Sequence, residues 1–405
     1  MLDPHLSDWL NLALRWFHLI VGIGWIGSSF YFIWLDSALR PLPLSPSPHR
    51  GEGEQGGEVE GELWMTHSGG FYKVERRRLG PGRMPAVLHW FKWEALLTWI
   101  SGMLLLALIY YFTGGAYLLD PAVSGITLPQ AIGLSLGVLL VSWLVYDALW
   151  STPLAARGPV ATVISWGLLA LVVYGLCRTL SGRAAYYLVG AMLGTLMVAN
   201  VWLRILPAQQ AMIDATAAGR EPDQTLSGRA KRRSVHNSYM TFPVLLIMLS
   251  NHFPGMFGHP DNWIVLGLLI VIGAGLRHVM IAERRAHWIL APVGAAAVLA
   301  FVMTAPKTGA APALGVGEPV AFADVRVLVA QRCLACHSVA PTDPTLTAPP
   351  LGVAFDRPDD LARWAARIRE RVAVLKTMPL ANKTGMTDAE RDLLARWVDQ
   401  GAPMR

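Results

Sequence analysis

Eight apolar stretches, at residues 9–35, 87–112, 129–150, 155–177, 184–206, 235–253, 262–282 and 287–304, leave this chain few folds to choose from. Each approaches or exceeds the ~20 residues that an α-helix needs to cross a bilayer, where every backbone polar group must be satisfied internally. Only 15% of the 405 residues are charged, against roughly 25% in soluble domains. The expected fold is all-α, an eight-helix transmembrane bundle over residues 1–304. The first stretch lacks a basic lead-in and outruns the apolar length of a cleaved signal peptide, so it counts as a span.

Loop charge gives the orientation. With the N-terminus outside, the inner loops collect fifteen Lys and Arg between Arg40 and Arg285, while the outer loops hold Arg178 and Arg183. Cations favour the cytoplasmic side. The expectation is a multi-pass protein of a bacterial inner membrane, with the N-terminus and everything after the eighth span in the periplasm. The net charge of +6 follows from that topology and gives no reason to expect nucleic-acid binding.

Beyond a linker at 305–319, "APKTGAAPALGVGEP", the stretch "QRCLACHS" places Cys333, Cys336 and His337 in the Cys-x-x-Cys-His spacing of c-type haem attachment. Other readings of the pair are a disulfide, a zinc half-site or a redox dithiol. Zinc would need further Cys or His ligands, none of which follows His337, and no βαβ pattern surrounds the motif. Iron ligated by His337 needs a sixth ligand to work as an electron carrier. Met378, in "LKTMPLAN" with Pro379 stiffening the loop, is the candidate, and Met386 is its rival. "DVRVLVAQRCLACH", "DDLARWAARIRERV" and "TDAERDLLARWVDQG" have helical rhythm, the last opening on a capping box of Thr387 and Glu390. Residues 320–405 are therefore expected to form a class I cytochrome c domain carrying haem c.

Polar residues at membrane depth are functional candidates, because lipid tolerates them only when paired or facing a cavity. His18 shares a helical face with Gly22, Trp25 and Ser29. It suits either a haem b ligand, with an outer partner such as His252, or a hydrogen bond across a helix interface. Span 2 carries His89, Lys92 and Glu94 among Trp90, Trp93 and Trp99. At the same inner depth lie Tyr146 and Asp147, Asn200 and Arg204, His236 and Asn237, and Arg277 and His278, which together predict an inward-opening polar pocket. Residues 41–62 are low-complexity and expected to be a disordered cytoplasmic insert, while 63–78 alternates like a hairpin turning at Gly69 and Gly70.

"WFHLIVGIGWIGSSFYFIWLD", "GELWMTHSGGFYKVE", "LHWFKWEALLTWISG" and the closing "TMPLANKTGMTDAERDLLARWV" together resemble the membrane-bound urate hydroxylase family. The resemblance covers nearly the whole chain except 41–62. It implies oxidation of urate to 5-hydroxyisourate, with electrons passed through the fused cytochrome c to a respiratory acceptor, a soluble cytochrome c or a terminal oxidase. It carries the haem-binding role onto Cys333, Cys336, His337 and Met378. Urate is a planar anion, so a cation and an aromatic face suit it. Lys92, Trp93, Arg204 and Arg277 are the expected substrate contacts, and His89, Glu94, Asp147 and His278 the candidate bases. The competing reading is a membrane-anchored electron-transfer cytochrome, either quinol-linked or a carrier without catalysis.

Overall fold

The computed structural model describes residues 3–39, 57–85, 87–281, 283–305 and 318–404, so residues 41–56 of the expected insert and most of the linker lie outside the described residues. Helix α1 (Pro4–Ala38) is started by Asp3, whose side chain accepts from the Leu6 amide. A hairpin of β1 (Gly57–His67) and β2 (Gly70–Leu79) follows, turning through Ser68 and Gly69. Both turn residues have positive φ, 49° and 78°, as a tight two-residue hairpin turn requires.

The hairpin begins earlier than expected, because the glutamates of the low-complexity stretch have work to do. Lys73 lies 2.9 Å from Glu62 and 2.8 Å from Glu75, and Glu60 takes Arg76 at 3.1 Å and Arg78 at 2.9 Å. Arg76 and Lys231 both reach Asp36, at 2.6 and 3.2 Å. The hairpin is thereby tied to the ends of α1 and of α7 (Gln224–Ser250).

Helix α2 (Trp93–Leu106) starts six residues inside the expected span, since Val87–Lys92 is not helical, and runs into a π turn at Ala107–Tyr111. After α3 (Leu128–Ser151) and α4 (Gly158–Cys177), α5 (Gly182–Asn200) passes through a second π turn, Val201–Ile205, into α6 (Leu206–Ala217). Pro207 accounts for the second turn. It has no N–H to give and its ring crowds the carbonyl four residues back, so the helix shifts to i+5 bonding, Leu206 N–H to Val201 O. Short α8 (Pro254–Phe257), α9 (Asn262–Ile281) and α10 (Leu290–Thr304) complete the bundle.

Among the described residues seven helices are long and apolar enough to cross a membrane. The remaining expected span, 235–253, falls in α7, whose "VHNSY" is too polar to qualify. α7 packs between α5 and α9, with Asn237, Ser238 and Thr241 buried. A helix walled in by its neighbours can carry groups that lipid would reject. The contact with α9 is backbone to backbone: a Cβ on Gly273 would fall 2.6 Å from the Pro243 nitrogen.

In the C-terminal unit, α11 (Phe322–Arg332) and α13 (Asp388–Asp399) pack together, Phe322 stacking on the fully buried Trp397 at 6.2 Å, and α12 (Pro358–Ile368) closes the core through Leu361 and Ile368. Thr387 and Glu390 form the expected capping box. The unit meets the bundle where α1 begins. The Thr347 hydroxyl donates to Asp8 at 2.9 Å, and a Cβ on Gly258, just past α8, would lie 2.9 Å from Thr377 Cγ2. The start of α1, the α7–α9 connection and the C-terminal unit thus share one end.

Candidate functional site

The inner polar residues of α3, α5 and α7 converge. Asn200 Nδ2 donates to the Tyr146 hydroxyl at 3.0 Å and to Asn237 Oδ1 at 2.8 Å, and Tyr146 meets His236 Nδ1 at 2.8 Å. Asp147 is gripped by two guanidiniums. Arg233 donates to its Oδ1 at 2.8 Å, and Arg204 approaches bidentately, Nε to Oδ1 at 2.8 Å and a terminal nitrogen to Oδ2. Arg233 is only 5% exposed. Both Asp147 oxygens accept from guanidiniums, so this carboxylate clamps α3 to α5 and α7, and Arg204 is engaged in the same clamp. In the sequence Arg233 reads as one of the loop cations, although it precedes His236 and Asn237 by three and four residues and so shares their face.

Arg277 and His278 face a different group. Arg277 Nε donates to Ser238 Oγ at 2.8 Å, and its guanidinium lies 3.9 Å from the Phe30 ring centroid and 5.9 Å from that of Phe242. The residue is 3% exposed, no carboxylate among the described residues pairs with it, and one terminal nitrogen has no acceptor. His278 Nδ1 meets the Tyr239 hydroxyl at 2.6 Å, the rings stacking at 5.7 Å. A buried cation without a counter-ion, walled by aromatic rings and followed by a tethered imidazole, is chemically equipped to hold a flat anion and take a proton from it.

Lys92 stands apart from both groups. Its Nζ is 5.2, 5.8 and 5.9 Å from the rings of Trp90, Trp93 and Trp202. The π turn in α5 turns Trp202 toward Lys92 and Arg204 toward Asp147. Glu94 faces α1 instead, its Cγ 3.5 Å from where a Gly24 Cβ would be, and its buried Oε2 has no partner. His89 is exposed before α2, its ring edge-on to Phe91 at 4.6 Å.

His18 Nδ1 lies 2.9 Å from Ser101 Oγ, while that hydroxyl lies 2.7 Å from Leu97 O. If the hydroxyl gives its only proton to the carbonyl, the imidazole carries its proton on Nδ1, and the Nε2 lone pair is left for a ligand. Gly102 makes the room: a Cβ there would sit 3.2 Å from His18 Cε1. His252 is exposed in the turn after α7, and no contact among the described residues joins it to His18.

In the C-terminal unit, α11 ends immediately before Cys333, and the thiols of Cys333 and Cys336 are free. Burial pushes the Cys333 thiol up to about 12, the opposite of what a reactive dithiol needs. His337 Nδ1 lies 2.9 Å from Val353 O, which can only accept, so Nε2 is again the free nitrogen. Met378 lies against the core of the unit and is half-buried, whereas Met386 is 3% exposed within that core. Arg391 holds the Met378 loop by donating to the carbonyls of Val372 and Met378, both at 2.6 Å. These residues fit a covalently attached haem: two unpaired thiols, an imidazole with its ligating nitrogen open, and a thioether on a braced loop.

Lys383 bridges that loop to Asp343, beyond the cysteines, at 2.9 Å. Burial alone would raise the Asp343 pKa; hydrogen bonds from Thr345 and the Lys383 ammonium outweigh it and hold the carboxyl down at about 2. A depressed pKa contributes stability above the ordinary carboxylate range that is lost as pH falls through the folded value. Asp343→Asn is expected to flatten the pH dependence of the unit's thermal midpoint between about pH 4 and pH 2, by roughly 1 kcal/mol after solvent screening. Unfolding scans across that window check it.

Fold and site together describe a helical protein of the multi-pass membrane class, its polar groups gathered between the helices of a bundle. The family model described as urate oxidase N-terminal matches residues 4–306. The chain belongs to that family. No curated protein and no solved structure matches it.

Proposed function

We propose that the chain oxidises urate within the membrane bundle and passes the electrons to a haem c in its C-terminal unit. The observation that carries this reading is the buried, unpaired guanidinium of Arg277, set between Phe30 and Phe242 and beside the His278–Tyr239 pair, in a chain of the urate oxidase N-terminal family. Arg277 supplies the missing counter-charge for a urate anion, the phenyl rings give it an apolar face, and His278 takes a proton as water adds. The urate anion and water give neutral 5-hydroxyisourate, one proton and two electrons. A haem held by Cys333, Cys336, His337 and Met378 supplies a one-electron acceptor, so two successive transfers or a second centre are needed. His18, with its Nε2 open, fits an axial ligand for a membrane haem b that would shorten the path.

A haem inventory with urate titration under nitrogen tests the reading. Urate is expected to reduce the haem c of purified protein, and quinol is not. Failure of urate would overturn the enzyme reading, and reduction by quinol instead would favour the quinol-linked carrier. Pyridine haemochrome spectra with c-type haem alone would remove His18 from the ligands. Met378→Ala is expected to abolish the long-wavelength sulfur-to-iron band, read in oxidised protein; its survival would transfer the role to Met386.

A further inference from the structure

A cleft of about 210 Å³ opens between the start of α2 and the α5–α6 junction, lined by Trp90, Lys92, Trp202, Leu206, Pro207 and Gln210. We propose that this cleft is a capture site for the urate anion, and that urate therefore enters from the end of the bundle that carries the hairpin, opposite the C-terminal unit. The inference rests on the proposed function and adds where substrate is first held.

Two features converge there. Lys92 has no carboxylate within salt-bridge distance among the described residues, so its charge is uncompensated. Trp202 lines the cleft, and its buried indole N–H has no acceptor. Lys92 is also the N-cap of α2, where no side chain caps the terminus, although Glu94 in the first turn offsets the helix dipole there. An ordinary interfacial lysine runs its ammonium out to headgroup water past a belt of tryptophans. Lys92 is instead half-buried, and its ammonium sits within 6 Å of three indole rings beside a concave space. A planar heterocyclic anion matches this surface: charge to Lys92 and a ring face to the indoles.

The lining also explains why the site captures and does not react. No histidine or carboxylate lines it, so nothing there can take the proton that oxidation releases. Arg277 and His278, which have that equipment, belong to a separate group of contacts. A site that binds substrate without bearing on the transition state sets KM and leaves kcat alone.

The test uses full-length, haem-loaded protein. With the haem reduced beforehand by dithionite, urate binding is measured by calorimetry without turnover; with the haem oxidised, KM and kcat follow from haem reduction. Lys92→Gln and Trp202→Leu are each expected to raise the urate Kd and KM about tenfold, a loss of ~1.4 kcal/mol, with kcat within twofold. In sealed vesicles, externally added urate is expected to reduce the haem only when the hairpin face is outward. Unchanged Kd and KM in both variants would overturn the proposal, as would unchanged urate KM with loss of bound anionic phospholipid from Lys92→Gln, which would make the cleft a lipid site. Lys92-dependent binding in a protein whose haem urate never reduces would support the cleft and overturn the enzyme reading; haem reduction with unaltered KM would do the reverse.

Discussion

Arg277→Met is expected to abolish urate-driven haem reduction while leaving the thermal midpoint of the ligand-free protein unchanged or raised. The two halves of that result come from one feature. An unpaired guanidinium in a buried site is costly, and replacing it with an apolar side chain of similar length removes the cost along with the Ser238 hydrogen bond. Loss of a charge-assisted contact to the anion is worth ~1.5–3 kcal/mol in binding, and any contribution that grows as charge redistributes in the reaction adds to it. A drop of about a hundredfold or more in kcat/KM is expected. Urate should stabilise the native protein against heat, by mass action on the folded state, and should no longer stabilise the variant. A midpoint lowered by several degrees with urate turnover intact would make Arg277 a structural residue.

Asp147→Ala is expected to do the opposite, because that carboxylate is the only one that balances Arg233 among the described residues. Removing it strands a guanidinium that is 5% exposed at a cost of ~3–5 kcal/mol. The bundle should unfold at markedly lower temperature or denaturant concentration. Pairing the change with Arg233→Met should restore much of the loss, and the double-mutant cycle gives the coupling directly. An Asp147→Asn protein that stays stable yet fails to turn over urate would return the carboxylate to the list of bases.

What the sequence made legible is what periodicity and spacing can encode. Span length and loop charge locate the helices and their shared end, and Cys-x-x-Cys-His with the Thr387–Glu390 box marks out the C-terminal helices. The inner polar residues were found because each breaks an apolar run. Their sorting into a clamp, a buried cation and an open lysine was invisible, since it depends on which faces of α2, α5, α7 and α9 meet, and that is decided by close approaches such as Gly273 against Pro243. Asp147 and Arg277 look alike as charges within apolar text. One turns out held by two guanidiniums and the other without a counter-ion. The first part of strand β1, residues 57–62, falls outside the expected hairpin for a related reason: glutamates that suggest solvent in isolation are cross-strand partners once an arginine-rich strand lies beside them.

The π turn at Val201–Ile205 sets the angular phase of everything that follows it in that long rod. Before it, side chains of α5 serve packing with α7; within it, Trp202 and Arg204 are swung to separate tasks. Deleting one residue from the turn would rotate α6 by about 100° about its axis. A change that removes no functional side chain would therefore disengage the Lys92 cleft and the Asp147 clamp together, and this helix should tolerate substitution far better than a change of length.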